Sequence, residues 1–394
     1  MRKAVCYIIN ILVVVYAVFD VLSSASAGNS NEQRTRVYIV LFAIMVLMLV
    51  TTLLNRRFRL DRISRLFMYF SFYYAVDEFL IKGNASWSAI AYLALSVWWM
   101  LTIVFFRDAQ RERNSTFRTY KRFALLMFAF YIAVVFYSSS NISAKHSTVS
   151  FARVGYIYHV LAILPLLLLD QNRIRRYCYI GLAIVVSLFS FKRGAIIVLP
   201  LMLFAFFFSE NRTGYGKHKL FRIVIAVLAF LLAWYAFDRY SGGYLSRRFT
   251  REALADGSGR ANLISTTLDN ISHRNFLQLL FGIRDSSELI LSVGAHNEWI
   301  VQLEQSGIIG VALYAKIILA LFWLEIKFLR KKSVLAASFS TLVVFTLCVG
   351  LVSGWYYMHS SYYIMIYIGI VVALSEKSED AVIRILTGET GEMA

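Results

Sequence analysis

The stretch GAHNEWIVQLEQSGIIG, residues 294–310, places an imidazole and a carboxylate beside an apolar run. Asn297 is a favourable N-cap and an acid follows it, so we predict a short helix over Glu298–Gln305 that ends before Gly307. In such a helix Glu304 lies apart from the polar arc, and His296 extends towards the apolar side. The polar arc consists of Glu298, Gln302 and Gln305, and the opposite arc of Trp299, Ile300 and Leu303.

The positions of Glu304 and His296 have two interpretations. An acid and an imidazole that face inward at a membrane boundary are costly unless they are paired, which makes them candidates for acid–base chemistry. Alternatively, Glu304 ties down a neighbouring loop through an arginine, and His296 is a satisfied structural residue. The spacing alone leaves both interpretations open.

A second candidate is the basic pair Lys192 and Arg193, which precedes Gly194. Basic residues outside the membrane run against the usual distribution of charge in membrane proteins, so the pair needs another reason to be there, such as holding an anion. The alternative is a pair that reaches from a helix end to lipid phosphates.

A third candidate lies between Arg251 and Arg260, where Asp256 is followed by Gly-Ser-Gly. Glycines beside a serine let backbone N–H groups approach an anion, and an arginine fork binds phosphate oxygens in a bidentate way. An ordinary flexible turn has the same composition and remains the alternative.

Together these residues suit a reaction on a lipid-linked pyrophosphate that is presented from the bilayer. The sequence contains no Gly-rich phosphate loop, no His-Glu zinc motif and no Asp-x-Asp pair. We therefore expect no metal and no cofactor.

The composition indicates a membrane protein. Hydrophobic residues make up 59% and charged residues 16% of the chain, and the apolar residues form long runs. The net charge of +18 comes from basic clusters between the runs, where lipid head groups and topology explain it better than nucleic acid does. Cys6, Cys178 and Cys348 lie inside apolar segments, which predicts neither disulfides nor a metal site.

About twelve runs are long enough to cross or nearly cross a bilayer. We expect an all-α, polytopic integral membrane protein with a single membrane domain over residues 1–394 and a large external loop, residues 238–307, between the ninth and tenth helices. The first run is predicted to be a retained helix rather than a signal peptide. The runs lie near residues 4–22, 37–54, 66–81, 87–106, 120–137, 151–169, 177–191, 194–209, 221–237, 308–329, 333–352 and 355–374.

The basic clusters fall in every second connection, which predicts that both termini are cytoplasmic. They lie at residues 2–3, 56–65, 107–122, 173–176, 212–222 and 327–332. With this alternation, the Lys192-Arg193 pair and the loop over residues 238–307 both face the outside. Two distant segments are therefore predicted to converge on the outer face.

The same segments resemble the signature region of the bacterial O-antigen polymerase and O-antigen ligase superfamily. The resemblance is carried by Arg251, by the motifs Asp256-Gly-Ser-Gly-Arg260 and Phe281-Gly282, by Ala295-His-Asn-Glu-Trp-Ile-Val-Gln-Leu-Glu304 and Gly307-Ile-Ile-Gly310, and by Ser190-Phe-Lys-Arg-Gly194. Lys192 is an insertion relative to the family's Ser-Arg-Gly element. The resemblance implies a glycosyltransferase of the bacterial inner membrane whose donor is an undecaprenyl-pyrophosphate-linked glycan, with a flippase and a chain-length regulator as partners.

We assign hypothetical roles on this basis. Arg193 and Arg260 stabilise the charge on the leaving pyrophosphate, and His296 takes the proton of the acceptor hydroxyl. The predicted substrate-binding residues are Arg251, Lys192, Asp256, Asn297 and Glu304, of which Glu304 orients a neighbouring side chain. A polymerase is favoured; a ligase that transfers the chain to lipid A-core, a transporter or flippase of the same lipid, and a non-catalytic lipid-binding scaffold are the alternatives.

Overall fold

The structure is a computed structural model that describes residues 2–23, 31–54, 60–84, 86–142, 154–214, 219–247, 249–250, 260–283, 297–356 and 360–388. These residues form helices joined by short connections, and no strand occurs among them. The predicted all-α class is confirmed for this part of the chain.

The helices follow the apolar runs closely in the first half of the chain. They are α1 (Arg2–Ser23), α2 (Asn31–Leu53), α3 (Arg62–Ala75), α4 (Trp87–Glu112), α5 (Ser115–Ile142), α6 (Ile157–Leu168), α7 (Arg173–Phe189) and α8 (Arg193–Arg212). The run predicted near residues 66–81 begins earlier than expected and ends in a π-helical turn, Val76–Ile81.

The second half contains both long and short helices. They are α9 (Lys219–Tyr240), α10 (Tyr244–Arg247), α11 (Arg260–Ser272), α12 (Phe276–Phe281), α13 (Glu298–Arg330), α14 (Ala336–Val352), α15 (Ser361–Leu374) and α16 (Glu379–Thr387). The segment predicted as an external loop thus carries the short helices α10 to α12.

Five segments are long and apolar enough to cross a membrane: Ala4–Leu22, Tyr92–Glu112, Ser115–Ser139, Arg193–Arg212 and Glu298–Arg330. Shorter apolar helices cover Val37–Leu53, Ile157–Leu168, Ala336–Val352 and Ser361–Leu374. Helices satisfy their own backbone hydrogen bonds, which is why they are suited to a bilayer. The length and apolar composition of the described helices are therefore those expected of a helical membrane protein.

The centre of the bundle is formed by α6 and α15, in which every residue is buried. α15 packs against α4 and α6. At Gly369 the backbones of α15 and α4 approach closely, since a Cβ there would lie 2.6 Å from the carbonyl oxygen of Ile103. Small residues allow such close crossings between membrane helices.

One end of the bundle is held by ion pairs, and we call it the ion-paired end. The pairs are Arg107 with Asp61 at 2.8 Å, Arg107 with Asp108 at 2.8 Å, Lys121 with Asp170 at 2.6 Å, Arg176 with Glu210 at 2.8 Å, and Arg111 with Glu376. The connections after α2, α4, α6 and α15 meet at this end. Glu210 lies near the last turn of α8, and the backbone N–H of Val334, just after α13, donates to Glu379. α8 and α13 therefore both begin at the opposite end.

Candidate functional site

The first wall of the candidate site is the beginning of α13. The Asn297 side chain accepts hydrogen bonds from the backbone N–H groups of Trp299 at 3.0 Å and Ile300 at 3.3 Å, which confirms the predicted N-cap. Helical geometry stops at Gly307, where φ is 60° and ψ is −166°. We call residues 298–306 the half-helix. Because of this break, the half-helix and the long remainder of α13 have different orientations.

The arc of the half-helix that carries Glu298 and Gln302 faces the protein interior. The Glu298 carboxylate accepts hydrogen bonds from the backbone N–H groups of Trp355 at 2.8 Å and Tyr356 at 3.2 Å, and Gln302 donates to it at 3.3 Å. Glu298 thus fastens the connection between α14 and α15 to the start of α13. The sequence pattern did not reveal this role, because an acid in a first helical turn looks the same whether it meets solvent or backbone.

The second wall is the beginning of α8. Lys192 occupies the N-cap position and Arg193 is the first helical residue. Both side chains are partly buried. A Cβ at Gly194 would overlap the Tyr158 hydroxyl and lie 3.0 Å from the Val352 side chain. The start of α8 therefore lies directly against α6 and the end of α14.

The two walls are connected through residues 352–354. Val352 contacts the start of α8, and a Cβ on Gly354 would lie only 2.7 Å from the Glu298 carboxylate. The basic pair and the half-helix thus lie at the same end of the bundle, although about a hundred residues separate them in the sequence. The structure brings Lys192, Arg193, Asn297 and the helix bearing Glu304 to this end.

Glu304 is buried and has an arginine beside it that the sequence did not single out. Arg274 Nη1 donates to the backbone carbonyl oxygens of Glu304 at 3.0 Å and Leu303 at 3.5 Å. Burial lowers the pKa of Arg274, and the nearby Glu304 carboxylate opposes this shift. Arg274 therefore ties the preceding loop to this helix through backbone carbonyl groups, and not through an ion pair with the Glu304 carboxylate as the second interpretation expects.

Two glycines fix the same contact through their backbones. Gly282 has a φ of 80° and lies against the Gln305 carbonyl, while Gly307 lies against the Leu280 carbonyl. The backbone N–H of Ile283 donates to Glu304 O at 3.1 Å. As a result, the end of α12 and Ile283 are held against the last turn of the half-helix.

A buried charged cluster closes the broken end of the half-helix. Lys82 Nζ lies 2.6 Å from Asp77 Oδ2 and 2.8 Å from Glu78 Oε1, and it also donates to the Gln305 carbonyl. The Tyr73 hydroxyl donates to Ser306 O at 2.6 Å. Lys82 and Tyr73 therefore satisfy carbonyl groups that the break leaves without helical partners.

Charges inside the spans would favour a transporter, and Asp77, Glu78 and Lys316 are the clearest charges within the predicted apolar runs. The two acids lie instead in the π-helical turn at the end of α3 and pair with Lys82, and Lys316 is exposed. Asp77 and Glu78 lie five and four residues before Lys82, and this spacing could have indicated the pairing. These charges therefore give the transporter alternative no support.

Several predicted site residues lie outside the described part of the chain, namely His296, Arg251 and Asp256. Arg260 begins α11, which packs against α13, but its side chain also lies outside that part. The roles assigned to these four residues stay predictions.

Buried polar atoms without a hydrogen-bond partner among the described residues lie on the half-helix and on Arg274 beside it. They are Gln302 Oε1, Glu304 Oε1, Ser306 Oγ, and Nε and Nη2 of Arg274. Unpaired buried polar groups are costly, so water or a ligand is expected to meet them. Within the described ranges, no three His, Cys, Asp or Glu side chains are grouped as a metal site.

Comparison with known proteins gave no match to a family, to a curated protein or to a solved structure.

Proposed function

We propose that the protein is a membrane glycosyltransferase that polymerises undecaprenyl-pyrophosphate-linked oligosaccharide units into O-antigen, capsular or exopolysaccharide. The observation that supports this proposal best is that the Lys192-Arg193 pair and the half-helix meet at one end of the bundle. Cations beside polar, partly buried groups at such an end suit an anionic leaving group held at a membrane surface.

The proposal places about twelve spans in the bacterial inner membrane, with both termini in the cytoplasm and the site on the external face. The ion-paired end, where the basic clusters lie, is then the cytoplasmic end. The loop over residues 238–307 then lies outside, where lipid-linked units are presented.

The reaction is a single displacement. The acceptor hydroxyl attacks the anomeric carbon of the donor glycan, the bond from that carbon to the pyrophosphate oxygen breaks, and the pyrophosphate leaves with the bonding electrons. His296 takes the hydroxyl proton, while Arg193 and Arg260 stabilise the leaving group with Arg251 and Lys192 in support. Asp256 contributes to binding of the substrate. Because the Asn297 oxygen is engaged in the cap, its contribution is to position His296. No metal or cofactor takes part in this scheme.

The test replaces Arg193, Arg260 or His296 by Ala in a strain that lacks the native protein, and long polysaccharide is followed on a gel. Each variant is expected to lose about 100- to 1,000-fold in rate, as when one transition-state contact is removed. Arg193→Lys should also fail, since a point charge does not replace a bidentate fork. Arg212→Ala, at the other end of α8 and exposed, is the control. If all three Ala variants polymerise normally at normal membrane levels, the mechanism is wrong.

Deletion of the gene separates the alternatives. Single repeat units on lipid A-core indicate a polymerase, whereas long chains that stay on the carrier indicate a ligase. Purified protein that extends lipid-linked units in detergent, without a second compartment, excludes a transporter.

A further inference from the structure

A groove of about 650 Å³ with both polar and apolar lining lies at the ion-paired end, far from the candidate site. It is lined by the start of α3, the last turns of α13 and the end of α15, with Arg62, Lys327 and Glu376 among the polar residues. The volume is in the range of small-molecule binding sites. The proposed glycosyl transfer uses none of these residues.

The charges in the groove leave it positive. Asp61 caps α3 by accepting from Ile63 N at 2.8 Å and pairs with Arg107 at 2.8 Å. Glu376 pairs with Arg111. Three carboxylates, those of Asp61, Asp108 and Glu376, share the two arginines Arg107 and Arg111. Arg62 and Lys327 form no ion pair within the described ranges, and they bring the group to one net positive charge.

An apolar strip leads from the groove along α13. Leu319, Phe322 and Trp323 are 54%, 47% and 55% exposed. Leu319 and Trp323 lie on the same helical face as Lys327 because they precede it by eight and four residues, and Phe322 lies beside Leu319, three residues after it. α13 is one of the segments able to cross a membrane. Tryptophan next to basic residues at the end of such a helix is typical of the boundary between acyl chains and head groups.

We propose that this groove binds one anionic phospholipid. Its head-group phosphate lies between Arg62 and Lys327, and its acyl chains follow the strip of Leu319, Phe322 and Trp323. A cation pair above an apolar strip matches the amphipathic shape of a phospholipid, and the unbalanced positive charge selects an anionic head group. This site is independent of the proposed glycosyl transfer.

The test measures lipid binding to the purified full-length protein by native mass spectrometry, with phosphatidylglycerol and phosphatidylcholine titrated separately. Phosphatidylglycerol is expected to bind more tightly to the wild type. Arg62→Gln combined with Lys327→Gln should weaken its binding by about 30-fold, since each cation near an anionic lipid contributes about 1 kcal/mol and about 1.4 kcal/mol corresponds to a factor of ten.

Two further variants make the comparison specific. Arg330→Gln with Lys331→Gln removes the same charge from the end of the same helix without touching the groove, and it should bind like the wild type. Arg62→Lys with Lys327→Arg keeps the charge and should also keep the binding.

Three results would overturn the proposal. The first is equal affinity for the two lipids in the wild type. The second is an equal loss in the Arg330 and Lys331 variant, which would assign the effect to net charge. The third is displacement of the lipid by inorganic phosphate at millimolar concentration, which would assign the groove to free phosphate.

Discussion

Gly282 and Gly307 hold the loop and the half-helix together in a way that no other residue type allows. Both have positive φ values, 80° and 60°. A Cβ on Gly282 would overlap the Gln305 carbonyl group, and a Cβ on Gly307 would overlap the Leu280 carbonyl group. Gly282→Ala and Gly307→Ala are each expected to lower the free energy of unfolding by about 3 kcal/mol, from left-handed strain and overlap together. Denaturant unfolding of the purified protein in detergent measures this change.

Gly181→Ala is the matched control for these variants. Gly181 lies inside α7, and no described heavy atom lies within 4 Å of a Cβ built there. Alanine at this position should be neutral or stabilising by up to about 1 kcal/mol, because alanine is the better helix former. If the Gly282→Ala variant is as stable as the Gly181→Ala variant, the close contact of Gly282 with the Gln305 carbonyl group is contradicted.

We predict that Lys82 stabilises the folded protein chiefly because it neutralises Asp77 and Glu78. Removing one partner from a buried ion cluster typically costs about 3–5 kcal/mol, so Lys82→Met should unfold at a markedly lower temperature. Adding Asp77→Asn and Glu78→Gln to Lys82→Met should recover most of that stability. A triple variant as unstable as Lys82→Met alone would show that the ion pairs are not the cause.

At the scale of residues, the sequence predicted the contacts that form between residues close together in the chain. The Asn297 cap follows from residue type and the residues that come directly after it. The contact of Arg274 with the Glu304 carbonyl and that of Lys82 with the Gln305 carbonyl join segments 30 and 223 residues apart. Local spacing carries no signal for such contacts.

At the scale of elements, the close crossing of α15 and α4 gives a further prediction. Gly369→Ala would place a Cβ 2.6 Å from Ile103 O and 3.1 Å from Arg107 N. The helices would have to separate, and overpacking of this type costs about 1–3 kcal/mol. Thermal unfolding should therefore occur at a lower temperature than in the wild type, whereas Gly181→Ala should not show the decrease. An unchanged unfolding temperature for Gly369→Ala would contradict the close approach.

Apolar runs predicted most of the helices, because a helix in a membrane needs a continuous apolar segment. They did not predict the π-helical turn Val76–Ile81 or the inward arc of Glu298 and Gln302. These features depend on which neighbouring helix supplies a partner, since Glu298 is buried against backbone N–H groups and the turn presents its acids to Lys82. A one-dimensional pattern does not contain that information.

At the scale of the whole molecule, the bundle has two chemically different ends. One is held together by ion pairs such as Arg107 with Asp61, and the other carries the basic pair of α8 and the half-helix. The alternation of basic clusters also predicts two distinct ends, because it depends on the order of the spans and not on side-chain detail. Which end faces the cytoplasm stays a prediction from the distribution of charge.

Labelling of single cysteines with a membrane-impermeant maleimide tests the central claim most directly. In a background without Cys6, Cys178 and Cys348, cysteines replace Lys192, Phe276 or Lys331, one at a time. We expect Lys192→Cys and Phe276→Cys to react in intact spheroplasts and Lys331→Cys to react only after lysis. If Lys192→Cys and Phe276→Cys react from different sides, or both only after lysis, the shared external site is contradicted.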